Sequence, residues 1–311
     1  MRRPQLEPVP GLPNRVRIYE VGARDGLQNE QQVVPVEDKA MFVRMLAETG
    51  LETIEVTSFV SPQWVPQLAD ASELLAILGE EGLGRHRPVL VPNERGLDRA
   101  LEAGVSAIAI FGSATETFAR KNLNRSVAES VQMFAPVVYR AKEQDAWVRA
   151  YLSMCFGDPW EGNVPIPQVV DAARRLMDLG CDELSIGDTI GVATTGHTKR
   201  LLEALVEAGI GIDRLAVHFH DTYGQALANT IAALQSGVTI VDSSAGGLGG
   251  CPYAKSATGN LATEDLLWAL DGLGVETGVD LKKLVATSVW MAGQLGRQSP
   301  SRVVTALGES V

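Results

Sequence analysis

The chain has 311 residues, of which 45% are hydrophobic and 21% are charged, and its formal net charge is -11 at pH 7. This composition is typical of a soluble globular protein, and the length allows one large domain or two ordinary ones. The excess of acidic residues argues against a general nucleic-acid or anionic-membrane binder. An anionic small substrate would require a local basic site or a metal ion.

Cysteine usage and the N-terminal segment indicate a cellular compartment. The three cysteines, Cys155, Cys181 and Cys251, are too few and odd in number for a disulfide framework. No apolar run approaches the roughly 20 residues of a membrane helix. The first residues contain four prolines and no apolar segment, so they predict a loosely held arm and not a secretory signal. We therefore expect a cytoplasmic protein without membrane contact.

Short strand-like runs alternate with longer helical patterns along the chain. The predicted strands are, in order, RVRIYEVG, TIEVTSF, RPVLVPN, SAIAIFGSA, WVRAYLSMCFG, DELSIGDT, RLAVHFHDT and TIVDSSAGG. An amphipathic helical pattern follows each strand, from VEDKAMFVRMLAETG after the first to TEDLLWALDGLG after the last. Strands that alternate with helices predict a parallel sheet with right-handed crossovers.

Eight such cycles predict a (β/α)8 TIM barrel, which takes about 250 residues. A doubly wound open sheet is the alternative, although such sheets usually have fewer strands. The segment DLKKLVATSVWMAGQLGR adds a C-terminal helix beyond the eighth cycle. We expect a single domain over residues 1–311, with an arm at 1–14 and the extra helix and tail at 278–311. The active site of a TIM barrel lies at the C-terminal ends of its strands.

Two histidines, His218 and His220, lie two residues apart on the predicted seventh strand. A period of two places both side chains on one face, which points into the barrel mouth or forms a polar core layer. Strands one, seven and eight are neighbours in a closed barrel, so we expect Asp25 and Asn260 to join the histidines. Two nitrogen and two oxygen donors favour Mg²⁺ or Mn²⁺. Zinc with Cys251 as a ligand is the less favoured alternative.

Arg24 and Glu55 are predicted at the ends of the first two strands. A guanidinium stays charged and can stabilise a developing oxyanion, although Arg24 beside Asp25 can also be a structural ion pair at the rim. Glu55 is expected either to orient a metal-bound water or ligand, or to bond a neighbour within a core layer.

The stretch GGLGGCPYAKSATGN, residues 246–260, has two functional interpretations. It resembles a phosphate-binding loop, but Ala254 replaces the second glycine and Pro252 removes a backbone donor. Alternatively, its glycines let a loop close over the barrel mouth and deliver Cys251 as an acid or base. We favour the loop closure over the phosphate loop. A glycine loop with an incidental cysteine is the structural alternative, and Lys255 has no assigned role.

Motifs from six parts of the chain resemble one family. VGARDGLQNE, IEVTSFVSP, ARKNLN, SIGDTIGV, HFHDTYGQALAN and GGLGGCPYAKSATGNLATED together resemble the hydroxymethylglutaryl-CoA lyases, which belong to the metal-dependent Claisen lyase and synthase superfamily of TIM barrels. The resemblance extends from about residue 15 to about residue 295. The departures are small: Ala23, Gln31 and Ala245-Gly246 replace a frequent proline, a common lysine and a more usual Val-Ala.

The resemblance implies retro-Claisen cleavage of 3-hydroxy-3-methylglutaryl-CoA to acetyl-CoA and acetoacetate. It implies a divalent cation that polarises the tertiary alcohol, held by Asp25, His218, His220 and Asn260. We expect no organic cofactor, an acyl-CoA as the binding partner, no nucleic acid and a homodimer. The family also suggests a place in leucine catabolism and ketone-body formation.

The resemblance further implies roles for individual side chains. His218 would remove the hydroxyl proton, Arg24 would stabilise the thioester enolate, and Cys251 would protonate it. Glu55 matches an acidic residue near the family's site. Asn122 and Ser58 match positions that contact substrate.

Several other functions fit the sequence. Within the superfamily, the alternatives are a lyase for a longer branched 3-hydroxyglutaryl-CoA and a Claisen synthase. Synthases usually carry a C-terminal extension, and little sequence follows residue 295, which favours a lyase. From a different class, a P-loop-like nucleotide-binding module or a metal-stabilised barrel without catalysis would also fit.

Overall fold

The computed structural model describes residues 3–82, 86–251 and 254–308, without the side chains of 81, 82, 251 and 254–258. Its main element is a parallel sheet of nine strands. These strands are β1 (Arg17–Glu20), β2 (Thr53–Ile54), β3 (Thr57–Ser58), β4 (Val89–Leu90), β5 (Ala107–Ser113), β6 (Trp147–Ser153), β7 (Glu183–Asp188), β8 (Leu215–Phe219) and β9 (Ile240–Ser243).

The sheet closes into a barrel through one interrupted strand. The order of the strands is β2-β1-β9-β8-β7-β6-β5-β4-β3, so β2 and β3 lie at its two ends. Only Glu55 and Val56 separate these two strands along the chain. Glu55 N donates to Glu20 O at 2.9 Å on one side, and Val56 N donates to Pro88 O at 3.0 Å on the other. The predicted TIM barrel is confirmed, and the doubly wound open sheet is excluded.

Helices follow the strands and cover the outside of the barrel. They are α1 (Val36–Glu48), α2 (Ala71–Leu78), α3 (Glu94–Glu102), α4 (Glu116–Leu123), α5 (Val127–Glu143), α6 (Ile166–Asp178), α7 (Thr195–Glu207), α8 (Ala226–Gln235), α9 (Thr263–Leu273), α10 (Leu281–Gln294) and α11 (Arg302–Leu307). The predicted extra helix is α10, and the short helix α11 follows it.

Local sequence explains several helix ends. Ser126 and Glu129 form a capping box at the start of α5, in which each side chain accepts from the other's backbone N–H. Asp280 caps α10 by accepting from the N–H groups of Lys282 and Lys283. Helix α1 is followed by Gly50 at φ +95°, a left-handed conformation that favours glycine.

The hydrophobic residues form two clusters on the two faces of the barrel strands. The larger cluster fills the space between the barrel and its helices. The smaller one lies inside the barrel around Tyr19, Tyr151 and Leu90. Arg149 is fully buried there and pairs with Asp242 and Glu183, so the interior is partly ionic.

The N-terminal arm lies along the end of α9. Glu7 N donates to Gly272 O at 2.9 Å, and Val16 N donates to Glu276 O at 2.9 Å. The division of the chain into one domain with an arm and a tail stays a prediction. In the part of the chain that the structure describes, no helix combines the length and apolar character needed to cross a membrane.

Candidate active site

A π-helical turn at Gly22–Gly26 places Arg24 and Asp25 at the mouth of the barrel. Gly26 N donates to Val21 O at 3.1 Å, which closes the wide turn. A Cβ on Gly22 would lie 2.6 Å from a carboxylate oxygen, and one on Gly26 would lie 2.8 Å from a leucine Cβ. Glycine is therefore the residue that fits at both ends of this turn.

The other side of the mouth is built by β8 and its extension. His218 lies on β8, and His220 follows the strand and forms a bridge with Asn260. Asp221 N donates to Gly259 O at 2.6 Å, which ties the two segments together. The structure thus brings the two histidines and Asn260 together at one end of the barrel, and their role as ligands stays a prediction.

Three potential ligands meet at this mouth. One ligand atom from each of Asp25, His218 and His220 lies within 4.8 Å of the others. Asn260 Nδ2 donates to Asp25 Oδ2 at 2.8 Å and to Leu248 O at 3.1 Å. Among the described residues, Asn260 Oδ1 and His220 Nδ1 are buried without a hydrogen-bond partner. Unpaired buried acceptors beside a carboxylate fit a divalent cation. The cation would coordinate these atoms and offset the free-energy cost of their burial.

Burial and neighbouring charges set the ionisation of these ligands. Burial opposes ionisation of Asp25, but the charges of Arg24 and His218 lower its pKa to about 2. Burial opposes protonation of His218, yet its hydrogen bond to Asp242 raises its pKa above the usual value. Burial and the charge of His218 lower the pKa of His220 to about 3. At pH 7, Asp25 is therefore a carboxylate anion and His220 is a neutral imidazole. These are the forms in which the two side chains bind metal ions.

Arg24 is held by two carboxylates. Its Nη1 donates to Asp25 Oδ1 at 2.7 Å, and its Nε donates to Glu55 Oε1. The Tyr151 hydroxyl donates to the second oxygen of Glu55, and the Tyr151 ring lies 5.4 Å from the Arg24 guanidinium carbon. Glu55 is fully buried and bonds Arg24 and Tyr151. These contacts fit the alternative of a carboxylate bonded to its neighbours, and a role in orienting a metal-bound water or ligand stays a prediction.

A cavity of about 650 Å³ opens above these groups. Arg24, Asp25, His218 and His220 line its floor, and Asn122 lines its wall. The cavity is large enough for a drug-sized or cofactor-sized ligand.

Ser58 lies below this cavity and is not among the described residues that line it. It is fully buried, and its hydroxyl donates to Leu90 O at 3.2 Å and accepts from Val60 N. Its hydroxyl therefore supports the backbone of two cavity-lining residues, and the substrate contact implied by the resemblance stays a prediction.

The glycine stretch forms a hairpin beside the site. Strand β10 (Gly250–Cys251) pairs antiparallel with β11 (Ala254–Thr258). The backbone of Cys251 is described, but its side chain lies outside the described part, so its catalytic role stays a prediction. Lys255 falls within β11 and not at a helix start, which removes the geometry that a phosphate-binding loop requires.

Sequence reasoning did not identify two residues that contact the candidate site residues. Tyr151 bonds Glu55, and Asp242 Oδ2 lies 3.2 Å from His218 Nδ1. The signal was present but weak: Arg149 and Tyr151 are two residues apart on a strand, as the histidines are, and both point into the barrel. An acidic residue inside the apolar strand TIVDSS was the corresponding signal for Asp242.

Comparison with known proteins places this chain in a family. A family profile described as HMGL-like matches residues 15–290. The Rattus norvegicus protein named Hydroxymethylglutaryl-CoA lyase, mitochondrial, is 51% identical over 295 residues, covering 95% of this chain and 90% of the relative. The Rattus norvegicus protein named 3-hydroxy-3-methylglutaryl-CoA lyase, cytoplasmic, is 48% identical over 296 residues, covering 95% and 86%.

A solved structure shows the same similarity in three dimensions. An HMG-CoA lyase from Acinetobacter baumannii, in complex with coenzyme A and 3-methylmalate, is 31% identical and superposes with a TM-score of 0.87. The match covers 98% of this chain and 97% of that one. With its family profile, its close relatives and its barrel all in agreement, the chain belongs to the HMGL-like family.

Proposed function

We propose that this protein is a carbon–carbon lyase that cleaves 3-hydroxy-3-methylglutaryl-CoA into acetyl-CoA and acetoacetate. The observation that carries the proposal is the placement of Arg24 against the cluster of Asp25, His218 and His220 on the floor of one cavity. The lyases from rat, about half identical over nearly the whole chain, support the same substrate.

Asp25, His218, His220 and Asn260 would hold the cation, which we propose to be Mg²⁺ or Mn²⁺. Oxygen and imidazole donors without a thiolate suit either ion. When bound, the cation supplies Lewis-acid polarisation of the substrate's oxygens. Asp25 follows β1, and the histidines lie at the end of β8. Asn260 follows the β10–β11 hairpin and is held beside them by its bridge to His220.

The chain's own residues then supply binding and proton transfer. Removal of the tertiary hydroxyl proton forms the ketone of acetoacetate as the carbon–carbon bond breaks. The electron pair of that bond becomes the enolate of the acetyl thioester. Arg24 lies on the cavity floor, where its guanidinium stabilises the enolate oxygen. Cys251 then gives a proton to the enolate carbon and completes acetyl-CoA.

The geometry limits what His218 can do at one moment. Its Nδ1 is bonded to Asp242, so Nε2 is the nitrogen that faces the cavity. One lone pair serves either the cation or the hydroxyl proton, but not both together. We assign Nε2 to the cation in the substrate-free enzyme. The base role implied by the family would require the Nε2 lone pair of His218 to be available to the hydroxyl proton, and Asp25 and His220 would then remain as ligands of the cation.

The deciding assay is acetoacetate release from 3-hydroxy-3-methylglutaryl-CoA by purified enzyme. We expect release with added Mg²⁺ or Mn²⁺, loss of release with EDTA, and recovery on adding the ion back. Asp25→Asn should abolish release because it removes the anionic ligand. Asp171→Asn is the matched control, since Asp171 pairs with Arg175 on the exposed surface of α6.

The same assay separates the alternatives. Absence of release by folded, metal-loaded protein would overturn the proposal. Faster cleavage of a longer branched 3-hydroxyglutaryl-CoA would assign the other substrate, and condensation of acetyl-CoA with a keto acid would assign a synthase. The homodimer, the cytoplasmic location and the pathway stay predictions, and the rat relatives carry the names of two different compartments.

A further inference from the structure

Asp242 lies next to His218 on the adjacent barrel strand. Strands β8 and β9 pair in parallel, with His218 opposite Asp242. His218 Nδ1 lies 3.2 Å from Asp242 Oδ2, and Asp242 is 1% exposed. Solvent is therefore excluded from this contact, and the hydrogen bond between the two side chains determines how the imidazole is oriented.

Arg149 and Ser185 hold the Asp242 carboxylate in place. Arg149 Nη2 donates to Asp242 Oδ1 at 2.5 Å, and the Ser185 hydroxyl donates to Oδ2 at 2.8 Å. Arg149 also pairs with Glu183 and lies over the Tyr19 ring, 3.6 Å from its centroid. A guanidinium only donates, so the group facing Arg149 must be an acceptor. The orientation of Asp242 is thus fixed from the side opposite His218.

We propose that Asp242 is a positioning residue that keeps the proton of neutral His218 on Nδ1, so that Nε2 presents its lone pair to the cation. This inference rests on the cation site of the proposed function. A carboxylate accepts and does not donate, so it selects the tautomer protonated at Nδ1. The other tautomer carries its proton on Nε2 and has no lone pair for a metal ion there.

The substitution Asp242→Asn tests the choice of the His218 tautomer with almost no change in side-chain volume. Because Arg149 only donates, the amide oxygen of the asparagine must face Arg149. The amide NH₂ then faces His218 and donates to Nδ1. The ring proton moves to Nε2, against the cation. The substitution therefore reverses the tautomer while both side chains remain in place.

The first measurement is Mn²⁺ affinity by electron paramagnetic resonance of the full chain. We expect Asp242→Asn to bind Mn²⁺ about 10- to 100-fold more weakly than wild type, with an unchanged far-ultraviolet circular dichroism spectrum. Ser185→Ala is the matched control, because it removes the other donor to Oδ2 but leaves the tautomer. Its Mn²⁺ affinity should stay within a few-fold of wild type. Wild-type affinity in folded Asp242→Asn would overturn the inference.

The second measurement depends neither on the folding of Asp242→Asn nor on a metal. Two-bond ¹H–¹⁵N spectra of the ¹⁵N-histidine-labelled, metal-free wild type report the tautomer of each of the four histidines. His218→Gln assigns the signal, and spectra at alkaline pH report the neutral ring. We expect a proton on Nδ1 in wild type, and a wild-type proton on Nε2 would overturn the inference. If wild type shows the expected tautomer but binds no Mn²⁺, the proposed cation site fails and the positioning by Asp242 stands.

Discussion

At the scale of single residues, the polar side chains of the site hold each other in a continuous buried chain. Arg24 bonds Glu55, Glu55 accepts from Tyr151, and Tyr151 accepts from Arg149 Nη1 at 3.3 Å. Arg149 then bonds Asp242, which contacts His218. The proposed oxyanion donor and the proposed cation ligand are thus positioned by one hydrogen-bonded network, which fixes their rotamers.

Replacement of Arg24 tests its proposed contact with the enolate. Arg24→Gln should lower turnover by about 10²- to 10³-fold, because a preorganised charged donor to the developing oxyanion is lost. Its Mn²⁺ affinity should change much less, since the four proposed ligands remain. Steady-state kinetics and Mn²⁺ titration on the same preparation give both values. Arg175→Gln, on the exposed face of α6, is the control, and near-normal turnover in Arg24→Gln would exclude the enolate role.

The residues that sequence reasoning identified are those with local signals. His218 and His220 lie two residues apart at the end of one predicted strand, and strand order alone brings Asp25 to them. Asp242 and Tyr151 required knowledge of strand register, because their partners lie 24 and 96 positions away in the chain. Register depends on packing of the whole barrel, so a single sequence gave no direct evidence for these pairs.

At the scale of elements, two buried carboxylates anchor the segment that leads to the β10–β11 hairpin. Glu20 accepts from Ala245 N at 2.8 Å, and Glu264 accepts from Gly246 N at 2.8 Å. The Thr263 hydroxyl donates to Glu20 at 2.6 Å, and the Ser288 hydroxyl donates to Glu264. These contacts therefore fix the backbone at the start of the glycine stretch.

The Glu264 anchor predicts a pH effect on stability. Burial raises the pKa of Glu264 to about 8, whereas the pKa of a glutamate in the unfolded chain is about 4.3. The native state therefore holds this proton more tightly, and its stabilisation is lost as pH rises through the native pKa. The stability advantage of wild type over Glu264→Gln should shrink between about pH 5 and about pH 8, by at most about 1.4 kcal/mol per pH unit.

Urea unfolding of both proteins across this pH range measures that difference. Glu203→Gln on the exposed face of α7 is the control for a surface substitution. An advantage of wild type that grows with pH would show instead that the Gly246 N–H and the Ser288 hydroxyl lower the pKa of Glu264, contrary to the effect of burial.

The elements that sequence reasoning missed are the shortest ones. Eight strand–helix cycles were readable because each helix has enough residues to show a period. Strand β10 has two residues, which is too few for any alternation to be visible. The run TIEVTSF predicts one strand, whereas the structure divides it into β2 and β3 of two residues each. The interruption of the second strand and the hairpin in the glycine stretch therefore emerge only from the folded chain.

At the scale of the whole molecule, the net charge of -11 opposes an anionic acyl-CoA. The cavity compensates with basic residues on its wall, where Lys121 and Arg125 lie near Asn122. Lys121 Nζ lies 4.9 Å from the centroid of the Trp160 ring, and both basic residues are exposed at the mouth. Local positive potential can draw an anion to a site on an acidic protein.

Removal of both mouth charges should affect binding more than chemistry. The double variant Lys121→Ala, Arg125→Ala should raise KM for the CoA thioester roughly tenfold with little change in kcat, about 1.4 kcal/mol in all. Its KM should also depend less on salt, because fewer exposed charges remain to be screened. Arg140→Ala on the outer face of α5 is the control. An unchanged KM at low salt would show that the phosphates of the substrate bind elsewhere.

The geometry of the site depends on how many residues the π-helical turn at Gly22–Gly26 contains, as well as on which residues they are. Such a turn contains one residue more than an α-turn. Loss of any one residue between Val21 and Leu27 would rewind it and rotate the adjoining side chains by about 100° around the helix axis. Arg24 and Asp25 would then no longer reach Glu55 and the histidines together. Deletions in this turn should therefore be absent from active relatives.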